Sequence, residues 1–158
     1  MLRFDVCMSL SSLWILVAAW IVRKREPAYV VDLMILQTIV SMLYWMDRNK
    51  SILRYGDRLI SSMVFLHFTY RLFVSENSRS SLILPLLSVF FFIVSWCMKC
   101  REKWLSLGKA PLFLYLFPHA SFRFFAFWMV IFASSDFNFS AGESIALSVL
   151  YYSSFLIV

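Results

Sequence analysis

Glycine and proline are scarce in this chain, at three and four of 158 residues. Long flexible linkers, collagen-like repeats and low-complexity disorder need one or both in quantity, so all three are excluded. Charge is scarce too: Asp, Glu, Lys and Arg make up 15% of the chain, against about 25% in soluble domains. Hydrophobic residues instead reach 61% and aromatics 19%. A soluble fold of this length buries only about two-thirds of its surface, too little to hide such an apolar excess. Cysteine supplies three residues, Cys7, Cys97 and Cys100, too few for a disulfide scaffold. Cys97 and Cys100 form a C-x-x-C, but neither a second ligand pair nor a βαβ setting accompanies it. The reading that remains is a membrane-edge cysteine pair beside basic residues.

Signatures of chemistry are missing as well. The chain has no G-x-S-x-G, no H-E-x-x-H or H-x-x-x-H, no ion-filter motif and no G-x-x-x-G packing face. Its spans are too few for a transporter built from inverted repeats. No cofactor and no metal is expected on these grounds. The N-terminal segment Met1 to Val22 begins like a secretory signal, yet it runs into Arg23-Lys24-Arg25-Glu26-Pro27 with no small-residue cleavage site. It reads as a retained first helix.

What is present is a series of six apolar runs. They predict an all-α fold, a polytopic integral membrane bundle of about six transmembrane helices with short loops, forming one domain over 1–158. The expected helices are 6–22, 28–46, 58–74, 81–98, 111–133 and 143–158. Several fall short of the roughly 20 residues a straight span needs, a mismatch that bilayer thinning or snorkelling absorbs. A four-helix arrangement, with the first or last run in the interface, is the alternative. Pro27 suits the first turn of helix 2, and Tyr44-Trp45 at its far end read as interface anchors. Asp47–Asp57 reads as a polar loop with Gly56 as its turn residue, and Pro118-His119 as a break in helix 5.

The net charge of +6 does not point to nucleic acid, because no soluble basic face exists to carry phosphate contacts. The cations lie in short loops beside apolar runs, where they set topology. Six spans place nine on one side: Arg3, Arg48, Lys50, Arg54, Arg58, Lys99, Arg101, Lys103 and Lys109. The other side holds Arg23, Lys24, Arg25 and Arg79, with Arg71 close by. The excess predicts N- and C-termini facing the cytosol, or the matrix or stroma of an organelle. The identity of the host membrane is not written in the chain.

Ionisable groups inside spans are functional candidates, since a central charge costs about 2.5–3.5 kcal/mol on insertion scales. His67, Arg71, His119 and Arg123 meet that criterion, the two pairs sharing an H-x-x-[YF]-R pattern. Asp57, Ser61 and Arg71 fall on one stripe of helix 3 with His67 beside it, and Gln37, Ser41 and Tyr44 form a stripe on helix 2. Three polar stripes on three helices predict one shared polar interior built from Ser41, Tyr44, Asp57, Ser61, His67, Arg71, His119 and Arg123. Interhelical hydrogen bonding, at about 0.6 kcal/mol per contact, is its structural use.

The order Ser41…Tyr44, Asp57, Ser61 resembles the alkaline ceramidase and progestin/adipoQ receptor superfamily over residues 41 to about 61. That resemblance implies a seven-helix membrane fold and a zinc-dependent lipid amide hydrolase site of one serine, one aspartate and three histidines. The chain departs from the pattern where Tyr44 or Trp45 replaces a histidine and where no seventh helix with H-x-x-x-H follows.

The resulting expectation is a non-enzymatic membrane protein acting through helix–helix association, as an accessory subunit or a self-assembling scaffold. Its partners are the lipid bilayer and either other membrane proteins or copies of itself. The alternatives are a lipid-binding or degenerate lipid amidohydrolase-like protein, and a small proton or ion pore using His67 and His119.

Overall fold

The computed structural model describes residues 2–47, 50–74, 82–105, 112–134 and 141–154, and side-chain environments from Ser9 onward outside 98–116 and 141. Those residues form six helices and no strand: α1 (Leu2–Val22), α2 (Ala28–Met46), α3 (Ser51–Val74), α4 (Ile83–Leu105), α5 (Leu112–Ala133) and α6 (Ala141–Ser153). The order and approximate positions follow the apolar runs. Ser81, Pro111 and 155–158, which the sequence assigns to helices 4, 5 and 6, lie outside the described residues.

Three local expectations are corrected. The segment 51–57 is the first two turns of α3 and not a loop, so only Asp47 to Lys50 separates α2 from α3. That connection is closed by Lys50 N–H donating to the Asp47 carbonyl (3.4 Å) and by a 3.3 Å ion pair between the two side chains. Apolarity alone had set the boundary, and the charged residues Arg54, Asp57 and Arg58 masked continuous helical propensity. Gly56 therefore sits inside a helix, facing α2, where a Cβ would meet Val40 Cγ1 at 3.4 Å, an ordinary contact distance. The expected break at Pro118 is also absent: α5 runs through it. A proline forfeits one intrahelical hydrogen bond, but enclosure by neighbouring helices holds the backbone in register.

The α1–α2 turn is as tight as the next one. Arg25 and Glu26 N–H groups both donate back to the Val22 carbonyl (2.9 and 3.0 Å). Pro27 occupies the N-cap of α2 with φ −55° and ψ 144°, one position earlier than expected. Such short connections enforce antiparallel neighbours. Helices α1, α2, α3 and α5 contact one another in a closed ring, α1 to α2 to α3 to α5 and back to α1, while α4 and α6 pack on α5 from outside.

α5 is the hub of this arrangement. Five successive residues, Phe127, Trp128, Met129, Val130 and Ile131, are buried, which only a helix enclosed on all sides can achieve. Around them pack Ala18, Ala19 and Val22 of α1, Val30 and Met34 of α2, and Val64, Phe68 and Leu72 of α3. α6 is fastened through Leu147, which packs on the core, and through its C-terminal end. Tyr151 is fully buried against Trp14, Phe124 and Phe127 and donates to the Ala120 carbonyl (2.9 Å), and Trp14 Nε1 donates to Ser154 Oγ (3.1 Å).

Among the described residues, one helix, α2, is by itself long and apolar enough to cross a membrane. Ser9–Val22, Ile83–Cys97 and Phe117–Ala133 are shorter apolar segments within α1, α4 and α5.

Candidate functional site

The ring of α1, α2, α3 and α5 closes around a guanidinium. Arg123, on the hub helix, donates from Nη1 to Ser11 Oγ and to Ser12 Oγ (2.8 Å), and from Nη2 to Ser41 Oγ (3.1 Å). Ser12 in turn donates to Ser41 Oγ at 3.0 Å. The Asp57 carboxyl group lies close enough to Ser41 and Arg123 to feel both. Each helix of the ring thus contributes: α1 two hydroxyls, α2 one, α3 the anion and α5 the cation. Ser11, Ser12 and Ser41 are all fully buried.

The chemistry of this cluster follows from its bond inventory. A serine oxygen has two acceptor lone pairs and one donated proton. Ser41 uses both pairs, for Ser12 and Arg123. No lone pair is left for attack on a carbonyl. One cavity lies among α4, α5 and α6 and another between α2 and α3, both lined by other residues. The arrangement neutralises and fastens.

The remaining candidates are spread along the bundle, and the Trp45 ring, 6.0 Å from the Arg123 guanidinium and 5.6 Å from the His119 ring, stands between this cluster and His119. Ser61 accepts a hydrogen bond from Gln37 Nε2 (2.9 Å), one turn along α3. His67 and Arg71 meet Glu26, a carboxylate with a fully buried side chain in the α1–α2 turn, at 3.2 Å and 3.6 Å. His67 lies ten residues beyond Asp57 on α3, about 15 Å along the axis. The buried side chains of Val30, Met34 and Val64 occupy the α2 and α3 positions between. His119 sits in a third place, its Nδ1 3.5 Å from Ser95 Oγ and its ring edge-on to Trp45 at 5.6 Å. Tyr44 is buried against Trp45 and Leu53. The pair Tyr44-Trp45 is therefore core and not an interface anchor. Trp20 and Tyr29, both about two-thirds exposed at the opposite end, hold the positions an anchor would take.

Sequence reasoning missed Ser11, Ser12, Ser95 and Glu26. The serines carry a readable signal: small hydroxyl residues inside apolar runs mark close helix–helix contact. Glu26 also carries one, as the lone acid within a basic run. The Cys97 thiol is free and exposed, and the side chain of Cys100 is outside the described set.

Among the described residues, no three of His, Cys, Asp and Glu converge as metal ligands. Asp57 faces a cation and the two histidines occupy different places, so these side chains do not assemble the zinc set that the resemblance implies. Comparison with protein-family models, curated proteins and solved structures finds no match for this chain.

Proposed function

We propose that this chain is a polytopic membrane protein that acts without catalysis, through helix–helix association, as an accessory subunit or self-assembling scaffold. The observation that carries the reading is an inversion of polarity. Ser11, Ser12, Ser41, Ser88, Ser95, Ser121, Glu26 and Thr38 are buried, while Leu36, Ile39, Leu43, Leu66, Leu86, Phe90, Phe92 and Ile93 are exposed. Water rewards the opposite distribution, and an apolar surface far larger than a few hundred Å² calls for another solvent. Hydrocarbon supplies it: helices satisfy their own backbone, and polar side chains turn inward to one another. The excess of Lys and Arg on one side supports cytosolic termini.

Association is supported by one face of α3. Leu59, Met63, Leu66, Tyr70 and Phe73 recur at alternating spacings of four and three, and each is at least half exposed. That is the seam of a packed helix pair. Lipid tails are as apolar as leucine, so shape and close packing, not hydrophobicity, select a partner here.

The test is native mass spectrometry of the protein released in mild detergent from its own membrane. A fixed-ratio partner or a homo-oligomer is expected, reduced at least severalfold in Leu66→Ala/Tyr70→Ala with thermal stability of the isolated chain unchanged. A lone chain at all protein concentrations, identical in both forms, contradicts the association reading.

A further inference from the structure

We infer that the end of the bundle carrying Glu26 is a binding site for an anionic phospholipid, with its phosphate on the basic turn and one acyl chain in the cleft between α2 and α3. The inference rests on the membrane reading above.

The cleft has a volume of about 190 Å³ and is lined by Tyr29, Val30 and Leu33 of α2 and by Met63, Val64 and His67 of α3. Drug-sized ligands occupy about 300–1,000 Å³, so this space suits a segment of hydrocarbon chain and not a whole soluble ligand. Five of its six lining residues are apolar or aromatic, and the sixth, His67, closes the end nearest the turn. There the surface changes sign. His67 Nε2 and Arg71 Nη2 both contact the buried Glu26 carboxylate, which fixes them beside the cleft.

The charge around that mouth is complementary to a phosphate. Arg23, Lys24 and Arg25 are exposed in the turn, and the Arg71 side chain keeps 39% of its surface accessible. Against these four cations stand Glu26, which is buried, and Asp32, which is exposed on α2. A guanidinium carries five N–H donors, and the Arg71 contact with Glu26 engages one nitrogen. Arg–phosphate pairs are among the stronger charge-assisted hydrogen bonds. Trp20 and Tyr29 stand exposed at the same level, with the Arg23 guanidinium 4.4 Å over the Trp20 ring, as befits a headgroup plane. The site also gives a use to the basic triplet on the side expected to carry fewer cations.

The test exchanges lipids on purified protein in neutral detergent and counts retained lipid by native mass spectrometry. Phosphatidylglycerol and phosphatidylcholine of identical chains compete, with glycerol phosphate as a headgroup-only arm. We expect phosphatidylglycerol retained at least fivefold over phosphatidylcholine, and no retention of glycerol phosphate. Lys24→Gln/Arg71→Gln should abolish the headgroup preference. Met63→Trp, which fills the cleft without changing charge, should reduce retention of both lipids. Equal retention of the two lipids, wild-type selectivity in Lys24→Gln/Arg71→Gln, or wild-type retention in Met63→Trp, each at unchanged thermal stability, overturns the inference. Glycerol phosphate bound as well as the lipid points to a free phosphate ligand and overturns it too. Extraction of the protein without detergent would instead remove the membrane reading on which the site rests.

Discussion

Arg123→Met should destabilise the protein by about 3–5 kcal/mol, because it strands the partly enclosed Asp57 carboxylate and three buried hydroxyls without their cation. The guanidinium reaches Ser11, Ser12 and Ser41 at once, and no neutral side chain of similar length replaces that fork. Arg123→Lys should recover little, since an ammonium is a point charge that cannot span donors on α1 and α2 together. The informative comparison is the double variant Asp57→Asn/Arg123→Met. With both charges gone the uncompensated anion disappears, and more than half of the lost stability should return. Denaturant titration in detergent micelles, read by helix content, measures all four proteins. A double variant as unstable as Arg123→Met would show that the attraction between Asp57 and Arg123 is not what holds the ring together.

Phe68→Ala is the second large effect, and its size depends on the solvent. Phe68 is fully buried in the apolar block alongside Met34, Val64 and Leu72. In water such a truncation costs about 3–5 kcal/mol, part of it from transfer of the lost ring. In a bilayer the transfer part largely vanishes, because lipid tails are as apolar as the core. What remains is the cavity, on the order of 100 Å³ at about 24 cal/mol per Å³, or roughly 2.4 kcal/mol. The same titration checks it. A loss under 1 kcal/mol would mean that the helices collapse into the gap and that this block is not closely packed.

These two positions also show how far the sequence could be read. Arg123 stood out because a charge inside an apolar run is costly, and Asp57 and Ser41 through their places on polar stripes. Their joining was not legible, since it depends on α1 closing the ring beside α5, and periodicity within a single helix says nothing about which helices meet. For the same reason the stripe running from Asp57 through Ser61 to Arg71 looked like one interior. In the fold, Val64 and Phe68 turn into the core between its polar members, and Glu26 captures the far end. The start of α3 was hidden because apolarity marks membrane-facing segments and not helix limits. The count and order of the helices were plain because each apolar run is long and interrupted by little glycine or proline. Tyr44-Trp45 misled, as an aromatic pair at a helix end has the same composition whether it faces a headgroup or a neighbouring helix.

The central claim is that the apolar exterior faces hydrocarbon. Spin labels at Leu16, Ile39 and Ile93, introduced singly as cysteines after removal of the native ones, test it in liposomes by power saturation. All three positions are exposed on different helices, α1, α2 and α4. The account predicts high accessibility to oxygen and low accessibility to a water-soluble nickel chelate at every one. Ready collision with the nickel chelate at two or more of them would place that surface in water and contradict the bilayer account.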